Sequence, residues 1–458
     1  MKETTAANQS TSVTEAGLWR TIWLISWPML LIMVLHFLVG LTDVYVAGLI
    51  SSEVQAAVGF ISQIFFLVII LGNAVSIGTV SLVARAVGAG DRNGALTKAK
   101  QSLLFGLLLS VILTGIILVL HRQIIALAGF PPAIEGIAVT FLRIFAFALV
   151  PNYLLIISSA VFRASGEVRK PLLTMSLFTA ANIAGDFGLV FGLGPFPVMG
   201  YAGIAVATAA AATLGMAVNL LFFAGPRWRS LYGISWRLSG SLVKTIIRLS
   251  WPAAMLQVAW NAGSIVLYNI LGRLGAESVT ALASITNGLR IEAIIFLPAF
   301  AFNMAASVLV GQNLGAGNTG RAERVGWKIA TAGMIFVSAM ALVVFAGARY
   351  WASLLTGDPA VLDETVRYLR INMFSEPFMA LSLILSGGLQ GAGDTRGTMW
   401  VIITAMWAIR LPLAYLLVLV LGWGAVGAWI AMISSMTIQG LLMARRFQGG
   451  YWKTLRLE

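Results

Sequence analysis

The stretch TAANIAGDFGLVFGLG, residues 179–194, decides how the chain is read, because it sets an ionisable carboxylate, Asp186, in a run otherwise apolar enough to lie in lipid. A charged side chain at the bilayer centre costs about 2.5–3.5 kcal/mol on insertion scales, so an acid in that position reads as a functional site. Asn182 precedes Asp186 by four residues and shares its helical face, one turn away. A second such acid, Asp43, lies in LVGLTDVYVAG (38–48), near the end of the first apolar segment.

Composition agrees with a membrane setting. The 458 residues are 59% hydrophobic and 10% charged, with a mean hydropathy of +0.91, whereas a soluble domain carries about a quarter charged residues. Cysteine is absent, which excludes disulfides and thiolate metal sites, and His36 and His121 stand too far apart for a metal cluster. Residues 1–18 are expected to form a polar cytosolic tail, since they lack the short apolar core of a signal peptide.

Apolar runs of about 20 residues or more fall at 20–49, 54–84, 96–120, 133–162, 171–193, 200–224, 242–272, 278–313, 325–347, 360–389, 397–421 and 424–444. The expected fold is therefore an all-α polytopic membrane protein of twelve transmembrane helices. Loops such as GAGDRNGA, ASGEVRKP and GLGPFPVMG carry turn chemistry. A basic stretch, 225–241, divides an N-terminal six-helix lobe, 19–224, from a C-terminal one, 242–446, with a cytosolic tail at 447–458. Of the 30 Lys and Arg, 22 fall in the termini and the loops that follow even-numbered spans. The positive-inside rule then places both termini in the cytosol, and it accounts for the +13 charge without nucleic acid.

The lobes repeat. AVGAGDRNGA (86–95) matches NLGAGNTGRA (313–322), and RASGEVR (163–169) matches QGAGDTR (390–396), both at an offset of 227. SWP at 26–28 recurs at 250–252, and FLRI at 141–144 recurs as YLRI at 368–371. Six spans per repeat give parallel copies related by a pseudo-two-fold axis along the membrane normal, an arrangement used for alternating access.

Counted back from the outer ends of the first and fifth spans at about 1.5 Å per residue, Asp43 and Asp186 lie at similar depth, roughly 8–12 Å below the outer surface. Thr208, in GIAVATAAA on the sixth span, reaches the same level. Asp43, Asn182, Asp186 and Thr208 are thus expected to form one polar cluster able to exchange H⁺ or Na⁺ for another cation. Pro28 interrupts the first span and permits a bend. His36, seven residues before Asp43, is a candidate relay. Arg290, Glu292, Glu376 and Arg410 are intramembrane charges of the second lobe, candidates for substrate contact or for structural ion pairs. GAGDRNGA lacks the Gly-Lys-Ser/Thr ending of a phosphate loop, so no nucleotide cofactor is expected. No nucleophile–base pair points to an enzyme.

These residues resemble the multidrug and toxic compound extrusion transporters, from about Trp19 to Arg446. The carriers are SWPMLL (26–31), GLTDVYVAG (40–48), FRASGEVRKP (162–171), NIAGDFGLVFGLG (182–194), GIAVAT (203–208), VGQNLGAG (310–317) and LQGAGDTR (389–396). The resemblance implies two six-helix bundles that expel lipophilic organic cations in exchange for H⁺ or Na⁺. Within the prokaryotic branch similar to the DNA-damage-inducible F proteins, it implies that Asp43, Asn182, Asp186 and Thr208 hold the coupling cation and that Pro28 is the first-helix bend. Other branches carry acids in the seventh and tenth spans. Trp260 and Met379 stand at the matching positions here, which favours the N-lobe site. His36 stands where Gln is expected. The resulting expectation is a monomeric inner-membrane antiporter whose partners are organic cations and membrane lipids. The alternative from the same superfamily is a lipid-linked oligosaccharide flippase, which favours a strongly cationic cavity.

Overall fold

A computed structural model describes residues 15–127, 129 and 131–457, so most of the expected N-terminal tail, residues 1–14, lies outside the described residues. Every regular element among the described residues is a helix. The first six spans are α1 (Glu15–Ile50), α2 (Ser52–Gly88), α3 (Arg92–Leu127), α4 (Pro132–Ala164), α5 (Arg169–Phe191) and α6 (Ala202–Phe223). After the basic stretch come α7 (Gly240–Gly272), α8 (Ser278–Gly315) and α9 (Thr319–Ala346). A short α10 (Ala348–Ser353) precedes α11 (Pro359–Asn372) and α12 (Glu376–Gly391). The next span starts as α13 (Thr395–Ile403), widens into π-helix over Thr404–Arg410, returns to α14 (Leu411–Tyr415) and widens again over Leu416–Val420. The last span is α15 (Gly424–Gln448).

Eleven of these helices are long and apolar enough to cross a bilayer unbroken. The tenth expected span, 360–389, is the exception: it is broken into α11 and α12 by a turn at Met373–Ser375. The cause is local. Pro377 at the start of α12 has no N–H to give to a preceding turn, so a helix running through from α11 would lose a backbone bond there. The freed polar groups are met in place, with Ser375 Oγ donating to the Asn372 carbonyl at 2.7 Å and Asn372 Nδ2 to the Tyr368 carbonyl at 3.2 Å.

The repeat read from the loops is present in the backbone. Gly90 and Gly317 take left-handed φ values of 72° and 75°, and Gly166 and Gly393 take 82° and 90°, each pair 227 residues apart. Each turn closes with the same pattern: Asp91 N–H bonds the Ala86 carbonyl as Asn318 N–H bonds Asn313, and Glu167 N–H bonds Phe162 as Asp394 N–H bonds Leu389. Glycine ends these helices because only it enters the left-handed region without steric cost.

Contacts divide the chain into two compact units, one of residues up to Leu30 with Pro252–Leu457, the other of Leu31–Trp251. In the second, the basic stretch 225–241 is tied to α3: Gln101 donates to the Arg237 carbonyl at 2.9 Å, accepts from Ser239 N–H at 2.8 Å, and Lys100 sits 3.4 Å from the Trp236 ring centre. In the first, the C-terminal tail folds back, with Trp452 fully buried and Lys453 on Glu323 at 2.7 Å. Buried Asp394 caps α13 through Gly397 N–H at 3.2 Å and takes both Arg446 Nε at 2.7 Å and Nη2 at 2.8 Å. Asp394→Asn is expected to lower the thermal midpoint of the purified protein, at a cost of about 1–2 kcal/mol. That is below the usual cost of breaking a buried pair, because Arg446 keeps a third of its side chain in solvent.

Candidate functional site

The site in the second unit depends on how closely α5 and α6 approach. A Cβ on Gly185 would stand 2.8 Å from the Ala207 Cβ, and one on Gly203 would stand 2.8 Å from the Leu189 carbonyl carbon. Small residues thus let the two backbones meet, as they do between helices in lipid. The result is a direct bond from Asn182 Nδ2 to Thr208 Oγ1 at 3.2 Å, while the Thr208 hydroxyl donates to the Ile204 carbonyl at 3.1 Å. Asn182 and Asp186 are completely buried. The second half of α1 brings Asp43 against Asp186, Asn182 and Thr208. All four residues expected to meet therefore do so.

Their unpaired atoms define the chemistry. Both carboxylate oxygens of Asp186, Asp43 Oδ1 and Asn182 Oδ1 are buried without a hydrogen-bond partner. Every one is an acceptor, and a buried acceptor left unpaired costs about 1–3 kcal/mol. A proton shared by the two acids satisfies part of this set. A sodium ion satisfies more, since hard cations take oxygen ligands and the cluster offers carboxylate, amide and hydroxyl oxygens. Thr179, one turn before Asn182, adds a buried hydroxyl that is also unpaired; its position on the Asn182–Asp186 face was legible, but a threonine on an apolar helix drew no attention.

Thr208→Val keeps the side-chain shape and removes only the oxygen. It is expected to raise the half-saturating concentration of the coupling ion about tenfold, equivalent to about 1.4 kcal/mol, while maximal transport falls less. Titrating the driving ion in reconstituted vesicles checks this.

The remaining candidates separate. Pro28 is buried within an unbroken α1. His36 lies two turns before Asp43 on the same face and its side chain is exposed. Arg290 is exposed on α8, whereas Glu292, Glu376 and Arg410 are buried, and Tyr368 on α11 lies among them. Tyr368 was missed, although the repeat marked it: it stands where the first copy has Phe141, so the hydroxyl exists in one lobe only.

Residues 28–187 and 252–416 match the MatE family. The chain belongs to this family. Among curated MatE relatives, the "Probable multidrug resistance protein NorM" of Thermotoga maritima is 28% identical over 92% of this chain and 90% of its own length. The "Uncharacterized transporter YisQ" of Bacillus subtilis is 23% identical over 94% of each. Among solved structures, one described as "MATE in the bent conformation" superposes with a TM-score of 0.84 at 22% identity, covering 94% of this chain and 96% of that one. Another, the "outward-facing conformation of a multidrug resistance MATE family transporter", gives 0.83 with the same identity and coverage. Membership makes this MatE chain a multi-pass membrane transporter and not an enzyme.

Proposed function

We propose that the protein is a secondary antiporter that exports lipophilic organic cations across the inner membrane in exchange for H⁺ or Na⁺ bound at Asp43 and Asp186. The observation that carries this reading is the buried set of unpaired acceptors formed by Asp43, Asn182 and Asp186 beside Thr208. A fixed structural role gives no reason to retain two acids side by side at membrane depth with no basic group against them. An ion that enters and leaves does. The multidrug resistance names of full-length relatives support the substrate class. The distribution of Lys and Arg supports cytosolic termini. The protein acts as a monomer in this reading, with lipid as its surroundings.

The test is efflux of a fluorescent organic cation from proteoliposomes under an imposed pH gradient or an imposed Na⁺ gradient. Transport driven by one of them supports the antiporter and names its ion. Transport under neither overturns it, and lipid-linked oligosaccharides become the next substrates to assay.

A further inference from the structure

The basic stretch between α6 and α7 has no part in the ion site, yet it is held as firmly as the helices it joins. Trp228 and Leu231 are buried. Arg92 Nη2 at the start of α3 donates to the Pro226 and Arg227 carbonyls at 3.2 and 3.3 Å, and the Tyr232 hydroxyl donates to the Leu220 carbonyl at 2.7 Å. Gln101 holds both Arg237 and Ser239. The stretch is thus fixed along its length, and the side chains it leaves in the open are presented in place.

Those side chains are of two kinds. Arg229 and Arg237 are exposed among exposed Tyr232, Trp236 and Leu238, with Trp236 66% accessible. Inside a span an exposed aromatic faces hydrocarbon, but these residues lie between the last turn of α6 and the first turn of α7, where water, headgroups and acyl chains meet. Tyr and Trp prefer that boundary, and Arg lays an apolar stem along it with its charge among the headgroups.

No acid answers the charge. Between Asp186 and Glu277 the sequence has neither Asp nor Glu. The helix ends on this side of the unit add seven more Lys and Arg but only Asp91 and Glu167. Asp91 caps Gly94 N–H at 2.8 Å, and Glu167 is shared by Lys170, Arg227 and Trp228. Lys100 is 2% exposed and faces the Trp236 ring, with no carboxylate bonded to it among the described residues. A buried cation without a countercharge is costly, and contact with a ring offsets only part of that cost.

The repeat shows what is missing. Phe223 and Trp228 correspond to Phe447 and Trp452 at an offset of 224, and each buried tryptophan packs on its phenylalanine, with ring centres 5.7 and 4.8 Å apart. At the same offset Arg229 corresponds to Lys453, which is bonded to Glu323. Glu323 lies beside the loop repeated at 227, and at that offset the first copy has Leu96. The anion that one copy supplies from its own chain is left to come from outside in the other. The positive-inside rule accounts for the number of Lys and Arg here, but neither for the tryptophan held open among them nor for a lysine buried without an anion.

We propose that residues 225–241 form a recognition surface for anionic phospholipid headgroups of the cytosolic leaflet. Arg229 and Arg237 take the phosphate, Tyr232, Trp236 and Leu238 enter the headgroup boundary, and Lys100 adds its charge from beneath Trp236. A free phosphate would use the cations and leave the apolar side chains without a role. The surface does not depend on the antiport reading.

The test is a titration of the full-length protein in neutral detergent with a short-chain phosphatidylglycerol carrying a fluorescent tail, read by anisotropy, against phosphatidylcholine with the same chains and label. Phosphatidylglycerol should bind saturably and more tightly, and its advantage should shrink as salt rises. Arg229→Gln and Arg237→Gln alter exposed side chains that the fold does not need. Each should weaken phosphatidylglycerol binding about fivefold, the equivalent of ~1 kcal/mol per basic residue at a membrane surface, and leave phosphatidylcholine unaffected. Trp236→Ala should weaken both lipids, whereas Arg445→Gln, exposed at the end of α15, should change neither. Equal binding of the two lipids, or an affinity unchanged in the Arg229→Gln/Arg237→Gln double variant, would overturn the proposal. So would full competition by inorganic phosphate at matched concentration, which assigns the cations to a free anion.

Discussion

Asparagine at position 43 or 186 is expected to bring ion-driven efflux down about 100-fold or more, with the folded protein still in the membrane. Asn has nearly the volume of Asp but neither releases a proton nor supplies the charge that offsets a bound Na⁺. Placing an ion at that depth without its countercharge costs about 2.5–3.5 kcal/mol, and each 1.36 kcal/mol is tenfold in rate. Stability should move the opposite way. Both Asp186 carboxylate oxygens are buried, so the amide keeps the volume while removing an ionisable group from beside Asp43, and Asp186→Asn should melt no lower than wild type. Efflux in proteoliposomes and thermal unfolding in detergent measure the two effects; wild-type efflux from both variants would sink the antiport reading.

Gly391→Val is expected to have the largest effect on folding. Gly387 and Gly391 are four residues apart on α12, and a Cβ on either would overlap α8 backbone, at the Asn303 and Ser307 carbonyl oxygens respectively. A flexible side chain could yield, but a helix carbonyl cannot without moving the whole of α8. The contact is also held by Asn303 Nδ2, which donates to the Leu383 carbonyl at 2.6 Å. Overpacking of this kind costs about 3 kcal/mol or more, a large share of a typical domain's stability. The checks are yield of monodisperse protein and its melting temperature, and Gly391→Ala should lie between Val and wild type.

Why some of this was legible in the sequence and some was not follows from chain separation. Asp43 and Asp186 announced themselves because an acid in an apolar run is conspicuous, and counting depth along straight helices brought them together with Asn182 and Thr208. Regular geometry made that count work: α1, α5 and α6 are unbroken where it was applied. The same logic failed for the tenth and eleventh spans. Hydropathy averages over a window, so a three-residue turn before Pro377 leaves the apolar signal of 360–389 intact while ending the helix. A π segment has no compositional mark, and it displaces every later side chain around the axis. Glu292, Glu376 and Arg410 were therefore visible one by one, but their meeting with Tyr368 was not. His36 shows a further limit: period placed it on the Asp43 face, but only the folded chain shows its side chain exposed.

The division of α1 between the units bears on how the protein is made. Trp23, Ser26, Trp27 and Leu30 share an apolar cleft with Pro298, Ala301 and Phe302 of α8 and Phe336 of α9, so the beginning of the chain finds its packing partners only in residues from 252 onward. At about 5–20 residues per second of synthesis, the first helix waits roughly 10–40 s between emerging and meeting them. During that interval Leu31–Trp251 has all of its own contacts available and can condense, while the segment before it stays in lipid without a protein neighbour of its own unit. Insertion and folding are thereby separated in time for one continuous helix, and a nascent chain stalled before α8 is a half-folded species with the ion site assembled and its first turns still undocked.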